Sequence, residues 1–260
     1  MTAPTGARLL ELAASRPDEV VCTDDEGRRR TRAELLDRAT RLGRLLHARG
    51  VGPGDHIAVC TDNRVEYVET YLAAVLSGVW FVPVNPLLTP DEVAHILADS
   101  GARLVLADEP HRDLVTEATG AAVPVVTYGD ELDALLAAAD PTPFDPADPA
   151  GSRFSYTSGT TGRPKGVKRA IPPTVGAMLD LQARLGHQVG CDGRGTHLVT
   201  GPAHHAAPGG YAFFDLCAGA RLHLMRRFDA ARTLDLLESL EVTHVHLVPT
   251  MMVRLLRLPE

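Results

Sequence analysis

Positive charge is scarce in this chain. Lys and Arg together number 26 against 33 Asp and Glu, giving a net charge of -7, so no broad basic surface is available to hold a nucleic-acid backbone, and nucleic acid is excluded as a partner. Long apolar runs are also missing. The charge-free stretch from Tyr71 to Val84 is broken by Ser77, Gly78 and Pro83 and falls short of the roughly 18 residues that a membrane-crossing helix needs. Cysteine is sparse: Cys22, Cys60, Cys191 and Cys217 contain no C-x-x-C pair, which argues against a zinc knuckle or a disulfide framework and for structural thiols. The opening MTAPTGARLL has no basic segment followed by an apolar one, so no secretory signal is indicated and a cytoplasmic location is expected. No fixed-period repeat is present, which excludes a solenoid.

What is there reads as an ordinary folded protein. With 45% hydrophobic and 23% charged residues over 260 positions, the chain can bury a sizeable core in one large α/β domain or two smaller ones. Thr31 to Gly50 carries Leu35, Ala39, Leu42 and Leu46 at helical spacing behind the capping box Thr31-x-x-Glu34, which predicts a helix. Ile57 to Cys60 predicts a buried strand, Val65 to Leu76 a helix ending at Gly78, and Val79 to Val84 the next strand. Thr89-Pro90-Asp91-Glu92 opens a further helix reaching about Ser100, followed by a strand over Arg103 to Ala107. Strand signals recur at Val123 to Tyr128, Phe154 to Thr157, His197 to Thr200, Arg221 to Met225 and Val242 to Val248. Helical patterns separate most of them, the βαβ signature of α/β lobes with largely parallel sheets. Pro141, Pro143, Pro146 and Pro149 preclude regular helix. The division expected is an N-terminal lobe at 1–140, a Pro-rich connection at 141–151 and a second lobe at 152–260.

Directly after that connection the chain reads Tyr156-Thr157-Ser158-Gly159-Thr160-Thr161-Gly162-Arg163-Pro164-Lys165-Gly166-Val167. Glycines let backbone N–H groups approach phosphate oxygens, hydroxyls donate further hydrogen bonds, and a lysine supplies a mobile positive charge. These are the parts of a polyphosphate cradle, and they match neither the Walker A loop nor the dinucleotide G-x-G-x-x-G. A flexible Gly/Thr hairpin is the plain alternative.

The segment resembles the phosphate-loop signature of the adenylate-forming superfamily, which includes acyl-CoA synthetases, luciferases and peptide-synthetase adenylation domains. Gly201-Pro202-Ala203-His204-His205-Ala206-Ala207-Pro208 is similar to the P-L-[FY]-H segment of acyl-CoA synthetases, with His205 on the family histidine; Ala203 and His204 stand where the family has a large apolar residue and an aromatic one. Val242-Thr243-His244 through Val248-Pro249-Thr250-Met251 resembles the strand and helix that help wall the acyl pocket, and Gly52 to Asp55 an early Gly-x-Gly-Asp turn. The resemblance implies the fold of the large N-terminal domain, incomplete, since the family's Tyr-Gly-x-Thr-Glu segment, ribose-binding Asp, hinge and C-terminal catalytic lysine do not occur in these 260 residues.

It further implies ATP-dependent activation of a carboxylic acid as an acyl-adenylate, then thioester formation with CoA. Lys165 and His205 would be catalytic, Thr157, Ser158, Gly159, Thr160, Thr161, Gly162 and Lys165 would bind phosphate, and His205, Pro249 and Thr250 would line the substrate pocket. Magnesium is expected with ATP, with no metal ligand assigned among the side chains. The chain alone is expected to be inactive. A complementary C-terminal half or self-association is expected to cover apolar residues near the end, Val253, Leu255, Leu256 and Leu258 among them. The alternatives are a non-catalytic binding or assembly subunit that keeps the fold, and an adenylate-forming enzyme acting on a different acid.

Other polar groups carry less. On a strand, adjacent His204 and His205 would face opposite sides, leaving one of them for a pocket. His244 and His246 would share a face, a spacing that can ligate metal, but no third ligand is near in sequence. Arg28, Arg29 and Arg30 beside Asp24, Asp25 and Glu26 read as a solvated turn. Arg163, Lys168 and Arg169 flank the phosphate loop and could add positive potential.

Overall fold

The computed structural model describes residues 7–120, 122–157 and 164–259. Along the chain, α1 (Ala7–Ser15) precedes strands β1 (Val20–Asp24) and β2 (Arg29–Thr31), then α2 (Arg32–Ala48), β3 (His56–Cys60), α3 (Val65–Ser77), β4 (Trp80–Val84), α4 (Pro90–Ser100) and β5 (Ala102–Ala107). There follow α5 (Arg112–Thr119), β6 (Val125–Thr127), α6 (Asp130–Ala137), β7 (Ser152–Arg153), β8 (Ser155–Thr157) and β9 (Lys165–Val167). The last elements are α7 (Val175–Gln188), β10 (Thr196–Val199), α8 (Ala206–Ala218), β11 (Arg221–Leu224), α9 (Ala230–Ser239), β12 (Val242–Val245) and α10 (Pro249–Leu256).

Local chemistry sets several of these boundaries. Both expected capping boxes form: the Thr31 N–H donates to Glu34 Oε2 at 2.8 Å while the Glu34 N–H donates to Thr31 Oγ1 at 3.2 Å, and Thr89 and Glu92 make the same reciprocal pair. Pro90 occupies the first turn of α4, where its missing N–H has no partner to lose.

Contacts group the chain into two compact units, Met1–Leu35 with Asp62–Val65 and Leu179–Glu260, and Leu36–Thr61 with Glu66–Met178. In the first, the sheet order is β12-β10-β11-β1-β2, parallel apart from the β1–β2 pair. The early hairpin thus joins strands from the far end of the chain. Arg28 to Arg30 are more than the solvated turn that the sequence suggests. Asp24 is 4% exposed and accepts from the N–H groups of Glu26, Arg28 and Val65 and from Arg28 Nε at 2.8 Å. Arg29 and Arg30 enter β2. A buried carboxylate needs such donors. The strand expected to reach Val248 ends at Val245, because Pro249 starts α10 and the three residues before it turn out of the ladder.

In the second unit, β6-β5-β3-β4-β7 form a fully parallel sheet. Its strands are buried almost throughout, as helices on both faces of a parallel sheet require. Pro83 is tolerated inside β4 because β7 pairs only with Trp80 and Phe81, so Pro83 has a ladder neighbour on the β3 side alone. Val82, Val84, Ile96, Val105 and Val115 lie in the core between sheet and helices. The Pro-rich stretch 141–151 has no helix and lies within this unit. Arg44 of α2 donates to the carbonyls of Thr142 and Pro143 and sits 4.0 Å over the Phe144 ring, tying the stretch down as a strap.

Candidate active site

The hydroxyl- and glycine-rich loop is framed by the β8–β9 hairpin. The register pairs Ser155 with Val167, Tyr156 with Gly166 and Thr157 with Lys165, so Lys165 leaves the loop directly opposite the residue where it begins. Lys165 is exposed. Ser158, Gly159, Thr160, Thr161, Gly162 and Arg163 lie outside the described residues, and of Thr157 only the strand position is described.

Helix α4 anchors this hairpin at two points. Tyr156 donates its hydroxyl to Asp99 Oδ2 at 2.6 Å, and His95 Nε2 lies 3.2 Å from the Pro164 carbonyl. Burial and the Asp99 carboxylate both push the Tyr156 phenol well above its ordinary range, so it remains a donor at any physiological pH. Gly166 is required by close approach: a Cβ there would lie 2.4 Å from the Phe154 ring. Lys168, one of the flanking cations, places its Nζ 4.2 Å from the centroid of Trp80, a cation–π seat. Behind it His56 packs between Trp80 and Phe154. Burial, then the Lys168 charge, holds the His56 imidazolium pKa below its usual value.

In the first unit, the second motif follows the carboxyl end of β10, the end of a parallel strand at which ligands of α/β proteins bind. His204 and His205 are not on a strand. Residues 203–205 form a turn running into α8, with His205 at the N-cap and the two imidazoles 4.4 Å apart. Alternation therefore does not separate their roles; in the turn, His205 is exposed and His204 half-buried. The turn is clamped by Asn63, which sequence reasoning missed. Asn63 is 5% exposed, donates from Nδ2 to the carbonyls of Gly201 and Met225 at 2.8 and 2.9 Å, and accepts the Ala203 N–H at 2.7 Å. An Asn-Arg pair in a loop offers no local signal for that task.

Pro249 and Thr250 open α10, beside the same turn. The Thr200 hydroxyl donates to the His246 carbonyl at 2.8 Å, and a Cβ on Gly201 would meet Pro208 at 2.8 Å and Met251 at 3.9 Å. His205, Pro249 and Thr250 thus belong to neighbouring segments of one unit. Lys165 belongs to the other. Along α10, Met252, Val253 and Leu256 are 48%, 44% and 86% exposed; of the four apolar residues expected at the surface, Val253 and Leu256 are exposed, whereas Leu255 and Leu258 are half-buried. No described helix is long and apolar enough to cross a membrane.

Comparison with known proteins supplies the context for these segments. The family model described as "AMP-binding enzyme" matches residues 9–260. A fatty acid–[acyl-carrier-protein] ligase, ScoC, from Streptomyces coeruleorubidus is 34% identical over 244 residues, covering 90% of this chain and 46% of the relative. A feruloyl-CoA synthase from an Amycolatopsis species is 36% identical over 226 residues, covering 85% and 44%. The chain therefore spans somewhat under half the length of these curated relatives. The crystal structure of ATP-bound MatB from Rhodopseudomonas palustris superposes with a TM-score of 0.81 at 28% identity, over 100% of this chain and 52% of that one.

Proposed function

The chain belongs to the AMP-binding enzyme family, and from that premise we propose that it forms the nucleotide- and acid-binding part of a ligase. That ligase converts a carboxylic acid and ATP to an acyl-adenylate and pyrophosphate, then passes the acyl group to the thiol of CoA. The observation that carries the reading is the hairpin register: β8 and β9 place Lys165 opposite Thr157, closing a loop of hydroxyls and glycines on a lysine.

The physical need for such a loop is plain. A carboxylate is already a nucleophile and requires no general base, yet it must approach an anionic triphosphate. Two unit charges 4 Å apart repel by about 4 kcal/mol at an effective dielectric of 20. Lys165 and the donors of Thr157, Ser158, Gly159, Thr160, Thr161 and Gly162 would offset that repulsion by binding the β and γ phosphates and the charge that develops on departing pyrophosphate. His205, Pro249 and Thr250 would line the pocket for the acid. Orientation of carboxylate against phosphorus would supply much of the remaining acceleration.

Magnesium is expected with the nucleotide. Among the described residues the group of His, Cys, Asp and Glu that could hold an ion is Cys191, His197 and Asp215, a sulfur- and nitrogen-containing set unsuited to Mg2+. No protein residue is therefore assigned to magnesium. The relatives named for acyl-CoA and acyl-carrier-protein products, and the ATP-bound structural neighbour, support ATP as substrate and a thiol as acceptor.

The test is carboxylate-dependent pyrophosphate release by the purified chain, alone and with a separately expressed segment carrying the ribose-binding Asp and catalytic lysine of the family. Release only on mixing is the expected result. Robust release by the chain alone would overturn the expectation that it is incomplete. Absence of release with every such segment, together with tight capture of an unrelated protein, would favour an assembly subunit instead.

A further inference from the structure

Within the unit that carries β10 to β12, four elements bring ligand-type side chains to one buried point. His197 and His244 are partners across the parallel β10–β12 ladder, so both rings stand on the same face of the sheet, stacked with centroids 6.4 Å apart. Asp215 of α8 packs onto that face. Its Oδ2 lies 3.2 Å from His197 Nδ1 and 3.3 Å from His244 Nδ1, and its Oδ1 accepts the Gly193 N–H at 3.1 Å. Cys191, in the connection from α7 to β10, completes the group. One ligand atom each from Cys191, His197 and Asp215 lies within 4.8 Å of the others, at exposures of 5%, 2% and 0%.

Two further observations describe the surroundings of this group. First, His244 Nε2 lies 2.6 Å from the Gly190 carbonyl and so carries a proton. Its Nδ1 lies 3.3 Å from Asp215 Oδ2 and 3.0 Å from the Thr243 hydroxyl, so the ring is held in place beside the carboxylate. Second, His197 Nε2 is fully buried with no hydrogen-bond partner, and its ring lines a cavity of about 220 Å³ shared with Cys191, Tyr211, His244 and His246. Buried imidazole nitrogens are normally satisfied.

We propose that Cys191, His197 and Asp215 are the ligands of a divalent-metal site of the Zn2+ class, with a fourth position open toward that cavity. Sulfur, imidazole and carboxylate together suit a borderline-soft ion and not a hard one. Tetrahedral bonds of about 2.0 to 2.3 Å place donor atoms roughly 3.3 to 3.8 Å apart, so the set closes on the ion with a contraction of about 1.5 Å or less from its 4.8 Å limit. His244 acts from outside the ligand set: fixed through Nε2 to the Gly190 carbonyl, its ring packs 3.3 Å from Asp215 Oδ2 and limits where the carboxylate can turn. The site is independent of the phosphate loop and of the ligase reading.

The experiment uses the chain freed of metal with a chelator and loaded with Zn2+ or Co2+. About one equivalent of Zn2+ is expected to survive desalting, and Co2+ is expected to give the visible bands of a tetrahedral site with a thiolate-to-cobalt charge-transfer band. Cys191→Ser, a small change at a loop position, should abolish that band and the retained zinc. His244→Gln should weaken binding by about 10- to 100-fold, while His246→Gln, on the cavity wall but outside the ligand set, should leave stoichiometry and spectrum unchanged. Circular dichroism establishes that each variant is folded. The proposal is overturned by an unmodified chain that retains neither ion, by a Cys191→Ser variant that binds as well, or by loss of binding in His246→Gln alone.

Discussion

Asn63→Ala removes one small side chain and disconnects three backbone groups. In the native structure its amide receives the Ala203 N–H at 2.7 Å and donates to the Gly201 and Met225 carbonyls at 2.8 and 2.9 Å, at 5% exposure. Each buried polar group left without a partner costs about 1 to 3 kcal/mol. Some of that is recovered by water entering the space vacated, so a total of about 3 to 5 kcal/mol is expected. For a chain of this size each 1 kcal/mol lowers the melting temperature by roughly 2 to 4 °C, which gives a drop of about 6 to 20 °C. Asn63→Asp should be no better, because it replaces the two donated hydrogens with an oxygen facing two carbonyls. Urea unfolding followed by far-ultraviolet circular dichroism reads the difference. A loss below about 1 kcal/mol, the net worth of a single ordinary hydrogen bond, would refute the clamp.

Two other perturbations test the same geometry. Gly166→Ala sets a Cβ 2.4 Å from the Phe154 ring and should destabilise by about 1 to 3 kcal/mol, as overpacking does; a melting temperature equal to that of the native chain would show that the hairpin and ring move apart freely. Acid should destabilise the fold through His56 and His223, whose pKa values are held below the ordinary 6.5 chiefly by burial. The unfolded chain takes up those protons first, so their contribution is complete above about pH 6.5 and is lost as pH falls from there toward the lower folded values. Denaturant midpoints measured between pH 8 and pH 5 should therefore decline, and the decline should shrink in a His56→Gln, His223→Gln double variant.

How much of this was legible in the sequence depended on how local the chemistry is. The capping boxes at Thr31–Glu34 and Thr89–Glu92 were readable because donor and acceptor lie within one turn. The buried runs of β3 and β4 were readable because both faces of a parallel strand are apolar. The boundary at Val245 was misread because Val242 to Val248 is apolar enough for a strand throughout, and Pro249 favours extended backbone in the residue before it, as a strand would. Arg28 was misread because its partner, Asp24, is a carboxylate whose burial depends on β1 joining β11 from the far end of the chain. The cluster of Cys191, His197, Asp215 and His244 was invisible for the same reason. A parallel ladder and a crossover helix assemble residues that no short spacing rule connects. His244 and His246 looked like a pair in sequence; in space His244 partners His197.

The central claim, that this chain holds a polyphosphate on the loop between β8 and β9, is tested most directly by titrating pyrophosphate into the folded chain in a calorimeter, beside Lys165→Ala. Lys165 is exposed and sits at the hairpin end, so its replacement should leave the fold intact by circular dichroism. A charge-assisted hydrogen bond contributes about 1.5 to 3 kcal/mol, so affinity should fall by roughly 10- to 150-fold. Equal affinity of the two chains for pyrophosphate, or no binding by either, would contradict the account.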